Sequence, residues 1–157
     1  MAIPSGMASI RKEIFIDSPA DVVWSVFRDI GAVHTRLAPG FVIDCRMDGK
    51  DRIVAFANGF VVREVIVDID DNERRLVYSA RSENLAHHNA YFKVVSIGEN
   101  RCRVVWVADL LPDEVAETIA GMMEQGSVAM KRALDHSRQE VEQPHAQAPA
   151  RSSGALH

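Results

Sequence analysis

His87 and His88 stand side by side just ahead of an apolar run, in "NLAHHNAYFKVV". An unperturbed imidazole titrates at ~6.5, so adjacent histidines could ligate a metal or move protons. Which of these is open depends on the faces they occupy. The stretch reads as a strand, and successive strand side chains point to opposite faces. Ala86, His88, Ala90, Phe92 and Val94 make the more apolar face; His87, Asn89, Tyr91, Lys93 and Val95 make the other. His88 is therefore expected to face inward and His87 solvent, so the two cannot hold one metal ion. Glu64 in "FVVREVIVDI" and Tyr78 in "RLVYSA" are the other candidate groups. With His88, either could shuttle protons in an aldol-type condensation or a dehydration. The plainer readings stand beside these. His88 can be a satisfied wall residue, Glu64 the partner of a cross-strand arginine, and Tyr78 a large core side chain. Cys and His show no zinc spacing. No phosphate loop, nucleophile elbow or nucleotide fingerprint occurs. No metal and no cofactor are expected.

These groups need elements to hold them. "IRKEIFID" is a strand with Ile10, Ile14 and Ile16 at even spacing. In "DSPADVVWSVFRDIG", Ser18 suits an N-cap and Pro19 a first helical position, while Val22, Val23, Val26 and Phe27 recur at helical spacing. "AVHTRLAPG" reads as a second short helix. Six strands follow with polar or glycine turns between them, which implies an antiparallel meander. In "FVIDCRMD", alternation puts Phe41, Ile43, Cys45 and Met47 on one face. In "RCRVVWVADLL" it puts Cys102, Val104, Trp106 and Ala108 inward, and in "RLVYSA" Leu76, Tyr78 and Ala80. In "FVVREVIVDI" the more apolar face is Val65, Val67 and Ile69, which places Glu64 outside. From Pro112 a long helix begins, with Val115, Ile119, Met122, Gly126, Met130 and Leu134 in one stripe. Residues 144–157, "PHAQAPARSSGALH", are rich in Ala, Pro, Ser and Gly and are expected to be a disordered tail.

The chain has 157 residues, 47% of them apolar and 25% charged, which suits one soluble domain. A net charge of -4, with no basic cluster, gives no case for a nucleic-acid partner. No apolar run approaches the ~20 residues that span a bilayer. The N-terminus lacks the apolar centre of a secretory signal. Cys45 and Cys102 are too few for a disulfide framework and read as buried thiols, so a cytoplasmic protein is expected. Nothing in the sequence sets the oligomeric state.

Three stretches carry a family pattern. "SPADVVWSVFRDIG" resembles the Ala-Pro-x-x-x-Val-Trp opening helix of the START-like, helix-grip superfamily. "GKDRIVAFANG" with "VREVIVDIDDNERRLVYS" is similar to its Gly-x-x-Arg-x-Val stretch, Glu-bearing strand and Asp-Asp turn. "VADLLPDE" resembles the join into the final helix. The resemblance is closest to the polyketide cyclase/dehydrase family. It implies an α+β fold, with a curved seven-stranded antiparallel sheet wrapped around a long C-terminal helix and two short helices after the first strand. Residues 1–143 would form this single ligand-binding domain. The resemblance also implies a hydrophobic cavity and turns Glu64 toward the ligand, against the parity reading; a β-bulge would reconcile the two. It departs from the abscisic-acid receptors of the superfamily, since "LAPGFVIDC" lacks their pocket lysine and "ANGFVV" replaces their gate. With that fold, ligand-binding residues are expected on several strands: Cys45, Phe56, Leu76, Ala90, Phe92, Val104 and Trp106. The long helix would add Ile119, Met122, Met123, Gly126 and Met130. The expected function is binding or carriage of a hydrophobic small molecule, such as a lipid, a polyketide or an aromatic metabolite. The alternative is a cyclase/dehydratase-type enzyme using His88 with Glu64 or Tyr78 for proton transfer.

Overall fold

A computed structural model describes the backbone of residues 6–154 and the side chains of residues 6–135. The expected tail at 144–157 lies outside the described side chains. In chain order the elements are β1 (Ala8–Ile16), α1 (Ala20–Phe27) and a five-residue π-helical turn (Val33–Leu37). There follow β2 (Val42–Asp48), β3 (Asp51–Phe56), β4 (Val61–Asp70), β5 (Arg75–Arg81), β6 (His87–Ser96) and β7 (Cys102–Leu111). A short 3-10 turn (Asp113–Val115) then leads into α2 (Ala116–Gly154). The seven strands form one sheet in the order β1-β7-β6-β5-β4-β3-β2, with every neighbouring pair antiparallel. This is the expected helix-grip arrangement. The second expected helix is only the π-helical turn.

The meander from β2 to β7 follows from its turns. Gly49 and Gly59 close the β2–β3 and β3–β4 hairpins with φ of 65° and 97°, a region that costs glycine nothing. β1 breaks sequence order by crossing to pair with β7, from Ala8 opposite Leu110 to Ile16 opposite Cys102. The chain between β1 and β2 must therefore cross the width of the sheet, and α1 and the π-turn make that crossing. α1 buries Ala20, Val23, Trp24, Val26 and Phe27. Ser18 does not cap it. Pro19 holds the cap position without a side-chain bond, and the buried Ser18 hydroxyl donates to the Leu134 carbonyl at 2.8 Å. The serine thus joins the start of α1 to α2, because it faces the packed helix rather than the open first turn. On its other side, α1 is tied to the β4–β5 turn. The Trp24 indole and the Arg28 guanidinium both donate to Asp71 Oδ1, at 2.8 and 2.7 Å.

Alternation holds on β5, β6 and β7, where Leu76, Tyr78, Ala80, His88, Ala90, Phe92, Val94, Cys102, Val104, Trp106 and Ala108 are buried. Two strands depart from it. β2 has a bulge between Val42 and Asp44, so Val42 and Cys45 face inward while Ile43 is 61% exposed and Met47 is also exposed. β4 has a bulge between Ile66 and Asp68. Before it, Glu64 and Ile66 share the inner face; after it, Ile69 does, and Val67 is turned to solvent. One extra residue reverses the parity of everything beyond it. On α2, Met123, Ala129, Met130 and Leu134 are buried in the core, and Ile119 packs against it.

Candidate functional site

Sheet and helix do not meet everywhere. At the α1 end the core is closed. Phe27 packs on Phe92 with ring centres 4.7 Å apart, and Phe92 stacks on Trp106 at 4.7 Å and on Tyr78 at 5.8 Å. Past this aromatic floor the first turns of α2 stand off from the sheet and leave a cavity of about 280 Å³. Its walls come from the π-turn (Val33, Leu37, Ala38), the β3–β4 hairpin (Phe56, Phe60) and the β5–β6 connection (Ser82, Asn84, Leu85). Val115, Ile119, Met122, Met123 and Met130 make the helical side. Flexible methionines suit an apolar wall that adapts to its contents.

Four polar side chains enter this wall on adjacent strands: Arg52 on β3, Glu64 on β4, Tyr78 on β5 and His88 on β6. Arg52 and Glu64 are directly opposite residues, 3% and 8% exposed. Arg52 Nε donates to Glu64 Oε1 at 2.8 Å, and Arg52 Nη1 to the Ile30 carbonyl at 3.2 Å. The guanidinium lies 5.7 Å from the centre of the Tyr78 ring, within cation–π range. Tyr78 accepts a hydrogen bond from Trp106 Nε1 at 3.0 Å. Burial first, and the Glu64 charge second, push its hydroxyl pKa upward, so the phenol keeps its proton near neutrality.

His88 is 7% exposed and owes its setting to a local opening of the sheet. β5 and β6 pair from Arg75↔Lys93 to Tyr78↔Ala90 and then part. Beyond that point, side chains replace the ladder. The Ser79 hydroxyl donates to the His88 carbonyl at 2.5 Å, and the Ala80 N–H donates to His88 Nδ1 at 3.0 Å. The imidazole fills the gap between the cavity and a polar cleft on the outer side, lined by Ser79, Arg81, His87 and Asn89. Burial lowers the His88 pKa below its ordinary 6.5, against an upward pull from Glu64, so the ring is neutral at pH 7. His87 is exposed on the opposite face, as alternation requires. Glu64 faces the cavity, as the resemblance implied, and is also the partner of a cross-strand arginine, as the plainer reading had it.

Of the residues expected at the ligand, Phe56, Phe92, Trp106, Ile119, Met122, Met123 and Met130 line the cavity together with His88, Glu64 and Tyr78. Leu76, Ala90 and Val104 lie on the inner face but outside the cavity lining, buried in the core. Cys45 is covered by the segment after α1, with its thiol 3.7 Å from the Ile30 carbonyl. Gly126 lies under the Phe41 and Trp106 rings. Burial pushes both thiols up, Cys102 to about 11, which leaves them protonated and unreactive near neutrality. Arg52 escaped the sequence reading, although its alternation with the buried Val54 marked it as inward-facing.

The sequence of residues 7–142 matches the family model described as polyketide cyclase/dehydrase and lipid transport. The chain belongs to this family. Solved structures similar to this family member share its fold. One is an uncharacterized protein from Bacillus thuringiensis, 18% identical with a TM-score of 0.73, covering 81% of this chain and 98% of its own. A protein from Thermobifida fusca is 26% identical, with a TM-score of 0.68 over 85% of this chain and 95% of its own. The Zhui aromatase/cyclase from Streptomyces sp. R1128 is 18% identical, with a TM-score of 0.66 over 87% and 97%. No protein of curated function matches the chain in sequence. Among the described residues, no helix is long and apolar enough to cross a membrane.

Proposed function

We propose that the protein binds a hydrophobic small molecule, of the lipid, polyketide or aromatic class, in the cavity between the sheet and α2. The observation that carries this reading is the wall itself: a cavity of about 280 Å³ lined mainly by aromatic, aliphatic and methionine side chains, with Arg52, Glu64, Tyr78 and His88 on the strands and Ser82, Asn84 and Thr118 elsewhere in the lining. Ligand sites are of this kind, largely apolar with a few placed polar groups that set orientation. The charges of Arg52 and Glu64 compensate each other, which favours a neutral ligand. The buried free thiols Cys45 and Cys102 support a cytoplasmic setting. Native mass spectrometry of the protein purified from its own host tests the proposal. A co-purified apolar molecule, lost when Ile119→Asp and Met123→Asp put charge into the wall, is the expected result. Protein that carries no ligand and takes up none from a panel of aryl ketones and fatty acids would sink it.

A second reading is favoured by one specific observation, the convergence of Glu64, Tyr78 and His88 on the same cavity. Such a set could catalyse a condensation or dehydration of the cyclase/dehydratase kind, as the Zhui aromatase/cyclase name suggests for that relative. Binding is preferred because each of the three already bonds to the protein: Glu64 to Arg52, Tyr78 to Trp106 and His88 to Ala80. Glu64→Gln separates the two readings. An enzyme would lose turnover of a poly-β-ketone thioester, whereas a carrier has no turnover to lose.

A further inference from the structure

Resting on the binding reading above, we infer that His88 is a fixed hydrogen-bond donor that selects ligands bearing a carbonyl oxygen on an apolar body. The Ala80 N–H points at Nδ1 from 3.0 Å, so Nδ1 must present its lone pair. A neutral imidazole with an accepting Nδ1 carries its proton on Nε2. That far nitrogen has no protein partner among the described residues and keeps some accessible surface, since it is absent from the buried unpartnered atoms, on a residue that lines the cavity. The parted strands give the arrangement its rigidity. Rotating the ring would leave the Ala80 amide, already unpaired with β6, without an acceptor.

Tyr78 adds a second donor of the same kind. Its oxygen already accepts from Trp106, and its own proton has no protein acceptor among the described residues. The Tyr78 and His88 rings are 5.7 Å apart, tilted by 44°. A carbonyl oxygen has two lone pairs and no proton, so it complements two neighbouring donors. A hydroxyl can accept from them too, but it brings a proton of its own that then needs a partner. The same geometry removes His88 as a general base. Its only lone pair faces the Ala80 amide. To take a proton at Nε2, the neutral ring would have to carry one at Nδ1, setting two N–H groups head to head.

Two isosteric probes test this: 2-acetylnaphthalene and 2-isopropenylnaphthalene, which differ by C=O against C=CH2. Titration calorimetry on the wild type should give the ketone roughly fivefold tighter binding, the size of one net hydrogen bond. His88→Phe should narrow the preference for the ketone to what the Tyr78 hydroxyl alone contributes, while still binding the hydrocarbon. Equal binding of both by the wild type overturns the donor assignment and leaves the apolar cavity standing. Binding of neither overturns the cavity reading and the inference with it. Long-range 15N–1H correlation of the His88 ring in the wild type is independent of ligand and of how the variant folds. The Nε2–H tautomer at pH 7.5 is expected; an Nδ1–H ring or an imidazolium overturns the proposal.

Discussion

Arg52 and Glu64 place opposite charges in a wall that is otherwise mostly apolar. Desolvation of such a pair costs several kcal/mol per ion, which the mutual attraction and added hydrogen bonds offset. The second bond of Arg52, to the Ile30 carbonyl, is part of that offset. Removing one partner strands the other, so Arg52→Leu should destabilise by about 3–5 kcal/mol. Leucine at both positions should recover most of that loss. Denaturant midpoints of the two variants decide it, and equal loss in both would show that the pair contributes more than mutual neutralisation. His88 makes a different prediction, about pH. Its folded pKa lies below the 6.5 of the free group, chiefly through burial, with Glu64 and Asp109 pulling up and His87 pushing down. Below about 6.5 the unfolded chain takes up a proton that the folded chain resists, so the unfolded state binds more protons. The contribution is complete above pH 6.5 and is lost as pH falls toward the folded value. Lowering pH from 7.5 to 5.5 should therefore cost the wild type more stability than His88→Phe. Parallel pH curves for the two would mean that the folded ring titrates normally.

Among the elements, α2 carries two glycines whose roles differ. A Cβ at Gly121 would meet nothing within 4 Å, so this glycine only costs helix propensity. Gly121→Ala should stabilise by roughly 0.5–1 kcal/mol. A Cβ at Gly126 would come within 3.0 Å of Phe41 Cε2 and 3.3 Å of Trp106. Gly126→Ala gains the same propensity but must push α2 off the sheet or displace a wedged aromatic ring, an overpacking cost of about 1–3 kcal/mol. A net loss is expected, and thermal melts of both variants should move in opposite directions. The α2 stripe announced that this face was buried, but not that one of its glycines touches an indole. Strands show the same limit. Parity alone placed His88, Tyr78 and Trp106, because β5, β6 and β7 run through those residues without a bulge. It misplaced Ile43 and Val67 because β2 and β4 each take in one extra residue. No residue type marks those bulges in the sequence. Only the family resemblance turned Glu64 inward.

At the scale of the whole molecule, the helix-grip arrangement was legible because each element carried one apolar face, which a curved sheet around one long helix buries, and because three stretches in order resembled the superfamily's motifs. The cavity was legible as an expectation of the fold, not as a volume, since it depends on how far the first turns of α2 stand from the sheet. That gap is also what makes ligand and fold one thermodynamic system. A molecule that binds the folded state alone raises stability by RT ln(1 + [L]/Kd), about 2.7 kcal/mol at a hundredfold excess over Kd. For a chain of this length, that corresponds to a rise in Tm of roughly 5–10 °C. With 2-acetylnaphthalene, Tm should climb linearly with the logarithm of concentration once the site is saturated. Ala108, buried at the cavity wall, supplies the control. Ala108→Leu fills cavity space with carbon that the empty wild type lacks, so its unliganded Tm should hold or rise while the ligand-induced shift shrinks. A shift that persists unchanged in Ala108→Leu would place the probe somewhere other than between the sheet and α2.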